Sequence, residues 1–167
     1  MNIQLIRIDD RLIHGQVVVG WVRALGIERL VVVNDAIAQN SMQKTLMEMA
    51  VPSGLKVSFY TVEEAAQNCR KEESKDRSLL LFSNPSDVVE FGKRGGALST
   101  VNVGGMHFCE GKQQVSKTVC VHEADIESFK ELKKRGVELE VRAVPGDVRE
   151  SLEKYIHQLK NSDSRGV

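Results

Sequence analysis

Proline, cysteine and aromatic residues are all scarce in this chain, and neither sign of charge predominates. Among 167 residues there are 3 Pro, 3 Cys and 1 Trp, and aromatics make up 5 %. Cys69, Cys109 and Cys120 are odd in number, widely spaced and without a CxxC pair. That opposes a disulfide framework or a structural zinc site and points to reduced thiols, two of them in or near buried segments. Lys plus Arg is 23 and Asp plus Glu is 23, which argues against holding nucleic acid or acidic membrane by bulk electrostatics. No apolar run approaches the roughly 20 residues that span a bilayer. The opening MNIQLIRIDD lacks the basic segment and long apolar stretch of a signal peptide. The exclusions leave a soluble cytoplasmic domain as the expectation, and about 150 residues suffice to bury a core without metals or disulfides.

What is present is an alternation of short apolar runs with helical stretches. Ile3 to Ile8 predicts a strand, Gln16 to Leu25 a helix despite its Val run, and Arg29 to Val33 (RLVVV) a strand apolar on both faces, as in a buried parallel sheet. Asn40 to Ala50 reads as a helix broken by Pro52 and Gly54. Lys56 to Tyr60 is a third strand, and Thr61 with Glu64 forms a capping box opening a helix to about Arg70. Leu79 to Phe82 is a fourth strand. Pro85 suits the start of the next helix and Gly95-Gly96 its end. Thr100 to Val103 is a fifth strand, Gly104 to Gly111 a glycine-rich connection, and Val115 to Val121 room for one or two short strands. Asp125 to Arg135 reads as a helix closed by Gly136. Val137 to Val144 (VELEVRAV) alternates strictly, which predicts an edge strand with one solvated face. Asp147 to Lys160 is a terminal helix and residues 161–167 a polar, frayed tail. Repeated strand–helix–strand units imply one α/β domain over residues 1–160, three-layered and doubly wound around a mostly parallel sheet with an antiparallel edge.

In such sheets ligands bind beyond the carboxyl ends of the strands. The residues that follow the strands are Asp9, Asp10, Arg11, His14 and Gly15, then Asn34 and Asp35, then Ser83 and Asn84, then Gly104 and Gly105. They are expected to converge at one rim. The first loop is the densest: IDDRLIHGQ puts two carboxylates, a guanidinium and an imidazole ahead of a helix. Free backbone N–H groups at that helix start favour an anion. Arg11 offers a planar fork for phosphate or carboxylate, and Gly15 allows close approach of the backbone. An imidazole beside such an anion site is a candidate phosphoryl acceptor. The same residues also suit a hydrogen-bonded surface cluster, with Asp9 capping the helix or pairing with Arg11. No GxxxxGK[ST] or GxGxxG is present.

The segment RIDDRLIHGQV (Arg7 to Val17) resembles the signature of the enzyme IIB components of the mannose–fructose–sorbose family of the bacterial phosphoenolpyruvate:sugar phosphotransferase system. Similar blocks recur at Val33-Asn34-Asp35, Leu81 to Asp87, Val101 to Met106, Lys112 to Val119 and Asp125 to Leu139, so the resemblance covers about residues 1 to 160. It implies a doubly wound sheet of about seven strands and a cytoplasmic subunit, transiently associated with a membrane permease. It implies that His14 takes a phosphoryl group on Nδ1 from a phosphohistidine of a IIA partner. That group would then pass to a sugar entering through IIC and IID subunits. No pair of the other histidines has metal-ligand spacing, so no metal is expected, and no cofactor. Arg11 carries over as a phosphoryl-binding group, and either Asp9 or Asp10 orients His14 or pairs with Arg11.

Gln16 is placed to donate a side-chain hydrogen bond at the helix start. Asn34, Asp35, Ser83, Gly104 and Gly105 line the rim or shape its loops. Lys112 and His107 are secondary candidates for the same rim, while His122 suits a cap and His157 a solvated helix face. Arg7, Met42, Met106 and Phe108 are candidates for a docking surface around His14. Two rivals are a regulatory or sensing module that kept the fold without transfer, and a hydrolase using an Asp–His pair. The loop offers the second no serine or cysteine nucleophile.

Overall fold

The apolar runs become the strands of one sheet in the computed structural model, which describes residues 1–71 and 74–156. The strands are β1 (Asn2–Asp9), β2 (Arg29–Val33), β3 (Lys56–Tyr60), β4 (Arg77–Phe82), β5 (Thr100–Gly105), β6 (Gln113–Gln114), β7 (Cys120–Val121), β8 (Glu138–Val141) and β9 (Glu150–Ser151). The helices are α1 (Arg23–Leu25), which continues a π-wound segment (Gln16–Val22), then α2 (Asp35–Ala38), α3 (Ser41–Met49), α4 (Val62–Lys71), α5 (Pro85–Lys93) and α6 (Glu123–Lys134). Seven strands lie in the order β3-β2-β4-β1-β5-β8-β9, and β6 and β7 form a separate antiparallel pair. Every pairing in the large sheet is parallel except β8 with β9. The expected mostly parallel, doubly wound sheet with an antiparallel edge is thus the observed one.

Each strand feeds two cores because successive side chains point to opposite faces. Leu79 and Leu81 of β4 join Leu30, Val32, Val17 and Trp21 on one face. Leu80 and Phe82 join Val31, Ile8, Phe91 and Phe129 on the other. Local chemistry fixes the helix ends. The Glu64 carboxylate accepts from the Thr61 N–H at 2.8 Å while Thr61 Oγ1 accepts from the Glu64 N–H at 3.2 Å, so the capping box at α4 is present. Asn84 caps α5 by accepting from the Asp87 N–H at 2.9 Å. Gly136, at φ 79°, ends α6 in the left-handed region that glycine adopts without strain.

Three expectations change. The Gln16–Leu25 helix is π-wound over its first seven residues, a rare winding that concentrates at functional sites. The segment predicted as an edge strand is β8, and it is interior, flanked by β5 and β9. Its polar position Glu140 is 2 % exposed. Burial replaces solvation there because Asn102, Arg142 and Arg149 surround the carboxylate. The predicted terminal helix starts late: β9 occupies Glu150–Ser151 and residues 152–156 are helical, while the rest of that prediction lies outside the described residues. Connection directions reverse twice along the sheet, between β2 and β4 and between β1 and β5. A reversal of this kind opens a crevice at the carboxyl ends of the strands.

Candidate functional site

The crevice between β1 and β5 is shaped by a tight turn. The Leu12 N–H donates to the Asp9 carbonyl at 2.9 Å, and Leu12 itself sits at φ 54°. A leucine in the left-handed region costs free energy, and its buried side chain holds it there. The turn returns the chain over the end of β1 and delivers His14 to the start of the π-wound segment. The first intrahelical bond runs from the Val18 N–H to the His14 carbonyl at 3.0 Å. The amides of Gly15, Gln16 and Val17 therefore precede the ladder and face outward from the helix start.

Asp9 ends β1 with no solvent exposure. Its Oδ2 accepts from Arg7 Nη2 at 2.7 Å and stands 2.9 Å from His14 Nε2. Its Oδ1 accepts from the Arg11 N–H at 3.2 Å. Burial acts to raise the Asp9 pKa. The His14 hydrogen bond and the charge of Arg7 outweigh it and hold the carboxyl below its ordinary value. An ionised Asp9 only accepts, so Nε2 of His14 carries the proton and donates it. In the neutral ring the other nitrogen, Nδ1, then presents a lone pair, on a side chain that is 14 % exposed.

Arg7 stands behind the carboxylate, also with no exposure. Burial pushes its guanidinium down from the ordinary value, and Asp9 counters that effect. A Cβ on Gly104 would lie 1.8 Å from Arg7 Cζ, so the guanidinium rests directly on the backbone of β5. A Cβ on Gly105 would meet Asp9 Oδ1 at 3.1 Å. The two glycines thus make room for this ion pair. Gly15 differs: its backbone is helical, and a Cβ there would meet no protein atom within 4 Å. Neither conformation nor packing requires glycine at that position.

Arg11 is 44 % exposed, with Nε 3.7 Å from Asp9 Oδ1. Its Nη2 donates to Gln16 Oε1 at 3.0 Å, so the Gln16 amide accepts at the helix start rather than donating to the protein. Asp10 turns to the other side. Its Oδ2 accepts from the His107 N–H at 2.6 Å, and its Oδ1 is 2.5 Å from His107 Nδ1. Lys112 Nζ donates to the His107 carbonyl at 3.1 Å. The two adjacent carboxylates thus serve two different histidines, Asp9 for His14 and Asp10 for His107.

The remaining rim residues form a second group at the crevice between β2 and β4. Asn34 Nδ2 donates to Ser83 Oγ at 3.0 Å, and Asn34 Oδ1 caps α2 through the Ile37 N–H. Asp35 Oδ1 accepts from the Val62 N–H at 2.8 Å, at the start of α4. These three polar groups are engaged in shaping loops, and the expected single rim is divided by the second reversal of the winding. Two docking candidates are corrected as well: Arg7 and Met106 are buried, drawn in by Asp9 and by the core, whereas Met42 and Phe108 are exposed. His122 occupies the N-cap position of α6, its N–H donating to Asp125 at 2.9 Å. His157 lies outside the described residues.

Sequence reasoning passed over the groups behind Arg7. Asn102 accepts from Arg7 Nη1 at 2.5 Å and donates to Glu140 Oε1 at 3.1 Å. Arg142 lies over the Trp21 ring at 4.8 Å and donates to Glu140 Oε1 at 2.9 Å. A polar residue inside the apolar run TVNVGG was the one available signal.

The family model for the sorbose-subfamily IIB component of the phosphotransferase system matches residues 3–165. The chain is 41 % identical, over 96 % of its length and 98 % of the relative's, to the fructose-specific EIIB component of Bacillus subtilis. It is 43 % identical to the mannose-specific EIIAB component of Escherichia coli, over 88 % of this chain and 46 % of that longer protein. The fold superposes on the IIB domain of the sorbose permease from Klebsiella pneumoniae with a TM-score of 0.87 at 36 % identity, covering 95 % of this chain and 98 % of that one.

The depressed Asp9 pKa carries a testable sign. A carboxyl held below its ordinary value adds stability that is present above about pH 3.9 and is lost as pH falls through the folded value. Asp9→Asn should therefore lower the unfolding free energy at pH 7 by about 3 kcal/mol, because Arg7 loses its buried counter-charge. That deficit should shrink in urea titrations carried out below pH 3.9. An equal deficit at both pH values would contradict the ion-pair account.

Proposed function

The chain belongs to the sorbose-subfamily IIB components of the phosphotransferase system, which are phosphotransferases, and on that footing we propose that His14 is its phosphoryl acceptor. The observation that carries the proposal is the 2.9 Å contact of His14 Nε2 with a buried carboxylate, which leaves the Nδ1 lone pair for attack. A phosphohistidine on a IIA partner supplies the group. The new Nδ1–P bond forms as the donor's N–P bond breaks, and the donor imidazole leaves with its lone pair. The His14 ring gains positive charge in that step, and Asp9, already hydrogen-bonded to Nε2, stabilises it without moving.

Arg11 and the amides of Gly15, Gln16 and Val17 are the groups we assign to the phosphoryl oxygens. The exposed guanidinium fork and the helix start both favour an anion there. The open space at Gly15 fits this reading, since a glycine required by nothing in the protein leaves room for an incoming group. In the second half of the cycle a sugar hydroxyl attacks phosphorus. The Nδ1–P bond breaks, the proton passes to a base, and His14 recovers its lone pair. We place the chain in the cytoplasm, meeting IIC and IID permease subunits transiently at the membrane. Among the described residues no helix is long and apolar enough to cross a membrane. Relatives of nearly equal identity carry different sugar names, which supports locating sugar choice in the permease subunits.

Incubation with a phosphorylated IIA protein should label the chain with an acid-labile, base-stable phosphoramidate, and His14→Ala should abolish the label. Label on a cysteine, or undiminished label in that variant, would overturn the assignment. Arg11→Ala should slow phosphoryl flow from IIA to sugar, in membranes carrying IIC and IID, by about 100-fold. The same change at an exposed side chain should alter unfolding free energy by no more than about 0.5 kcal/mol. Unchanged flow would remove Arg11 from the mechanism.

A further inference from the structure

Asn102 lies in the middle of β5, with no solvent exposure, and uses both ends of its amide. Oδ1 accepts from Arg7 Nη1 at 2.5 Å, while Nδ2 donates to Glu140 Oε1 and to the Arg142 carbonyl, both at 3.1 Å. The orientation is fixed by chemistry. A flipped amide would aim its N–H groups at a guanidinium and its oxygen at a carboxylate and a carbonyl. Glu140 is in turn held by Arg142 at 2.9 Å and by Arg149 at 2.5 Å. A continuous chain of buried polar contacts therefore runs from β8 through Asn102 to Arg7, from Arg7 to Asp9 at 2.7 Å, and from Asp9 to His14 at 2.9 Å.

We propose that Asn102 is a positioning residue for His14, acting through Arg7 and Asp9. Arg7 Nη1 has two acceptors, Asn102 Oδ1 and the Arg142 carbonyl at 3.1 Å, and Asn102 Nδ2 donates to that same carbonyl. With the fork pinned on that side, Nη2 fixes Asp9 Oδ2 along one line, and Oδ2 is the atom that selects the His14 tautomer. Loss of the amide frees the guanidinium to turn, and the Asp9 carboxylate, hydrogen-bonded to Nη2 through Oδ2, moves with it. Burying two acids, Asp9 and Glu140, with one arginine, Arg7, is a costly way to fill a core, and apolar residues of the same volume would serve stability as well. A site that must hold one ring nitrogen protonated and the other bare gives that arrangement its use. The inference rests on the reading of His14 as acceptor, and its test separates the two.

The test compares wild type with Asn102→Leu by long-range ¹H–¹⁵N NMR of the His14 ring at neutral pH and by the rate of phosphoryl uptake from phosphorylated IIA. The wild-type ring should be in the Nε2–H form. Asn102→Leu should shift it to a mixture of both tautomers and slow uptake by up to about 100-fold, with the half-saturating IIA concentration unchanged. Leu132→Ala, a buried change on α6 against the opposite face of the sheet, should lower stability while leaving tautomer and uptake as in wild type. If Asn102→Leu does not fold, Asn102→Ser, which admits water, carries the same expectation. A wild-type tautomer in the Asn102 variant, or an unchanged uptake rate, overturns the proposal. Persistent label in His14→Ala would instead defeat the acceptor reading and leave the tautomer result standing.

Discussion

Oδ2 of Asp9 accepts from Arg7, a guanidinium cut off from solvent, and faces an imidazole at the surface. The rest of the site follows from that shared oxygen. Because the His14 hydrogen bond and the charge of Arg7 together outweigh the cost of burial, Asp9 stays ionised. Because Asp9 is ionised, His14 must donate through Nε2. On the proposed reading of His14 as phosphoryl acceptor, the nucleophilic atom of the ring is chosen by a residue with no solvent exposure.

The fold is arranged around keeping that pair dry and fixed. β1 is central, so Asp9 emerges at the crevice where the winding reverses between β1 and β5. Gly104 gives up a side chain to let the guanidinium lie on the strand, and Trp21 closes it from above with its ring 5.4 Å from Arg7 Cζ. Leu12 holds a left-handed turn that brings His14 back over Asp9. Charged groups inside a sheet protein contribute little net stability, but removing one member of such a pair typically costs about 3–5 kcal/mol. The cluster is thus conditional on all its members, which suits geometry better than strength.

Much of this was legible in the chain. RLVVV and LLLF are apolar on both faces, and that pattern marks buried parallel strands wherever they fall in the sheet. RIDDRLIHGQ is local, so the acid and the imidazole that meet are a few positions apart, but the guanidinium bonded to Asp9 is that of Arg7 and not the expected Arg11. VELEVRAV misled because alternation looks the same whether the polar face meets water or a buried ion network. Asn102 and Arg7 are 95 positions apart, and nothing in either segment announces the other. Asn34, Asp35 and Ser83 read as rim chemistry because the order of strands, and with it the second reversal that sets them apart, is not a property of any one loop.

The central claim is that Asp9 dictates which nitrogen of His14 reacts. ¹⁵N–³¹P NMR of the phosphorylated, ¹⁵N-histidine-labelled protein tests it most directly. The account predicts phosphorus bonded to Nδ1, with Nε2 still protonated and hydrogen-bonded. Phosphorus on Nε2 would contradict it, since that atom could not both carry the phosphoryl group and donate to Asp9.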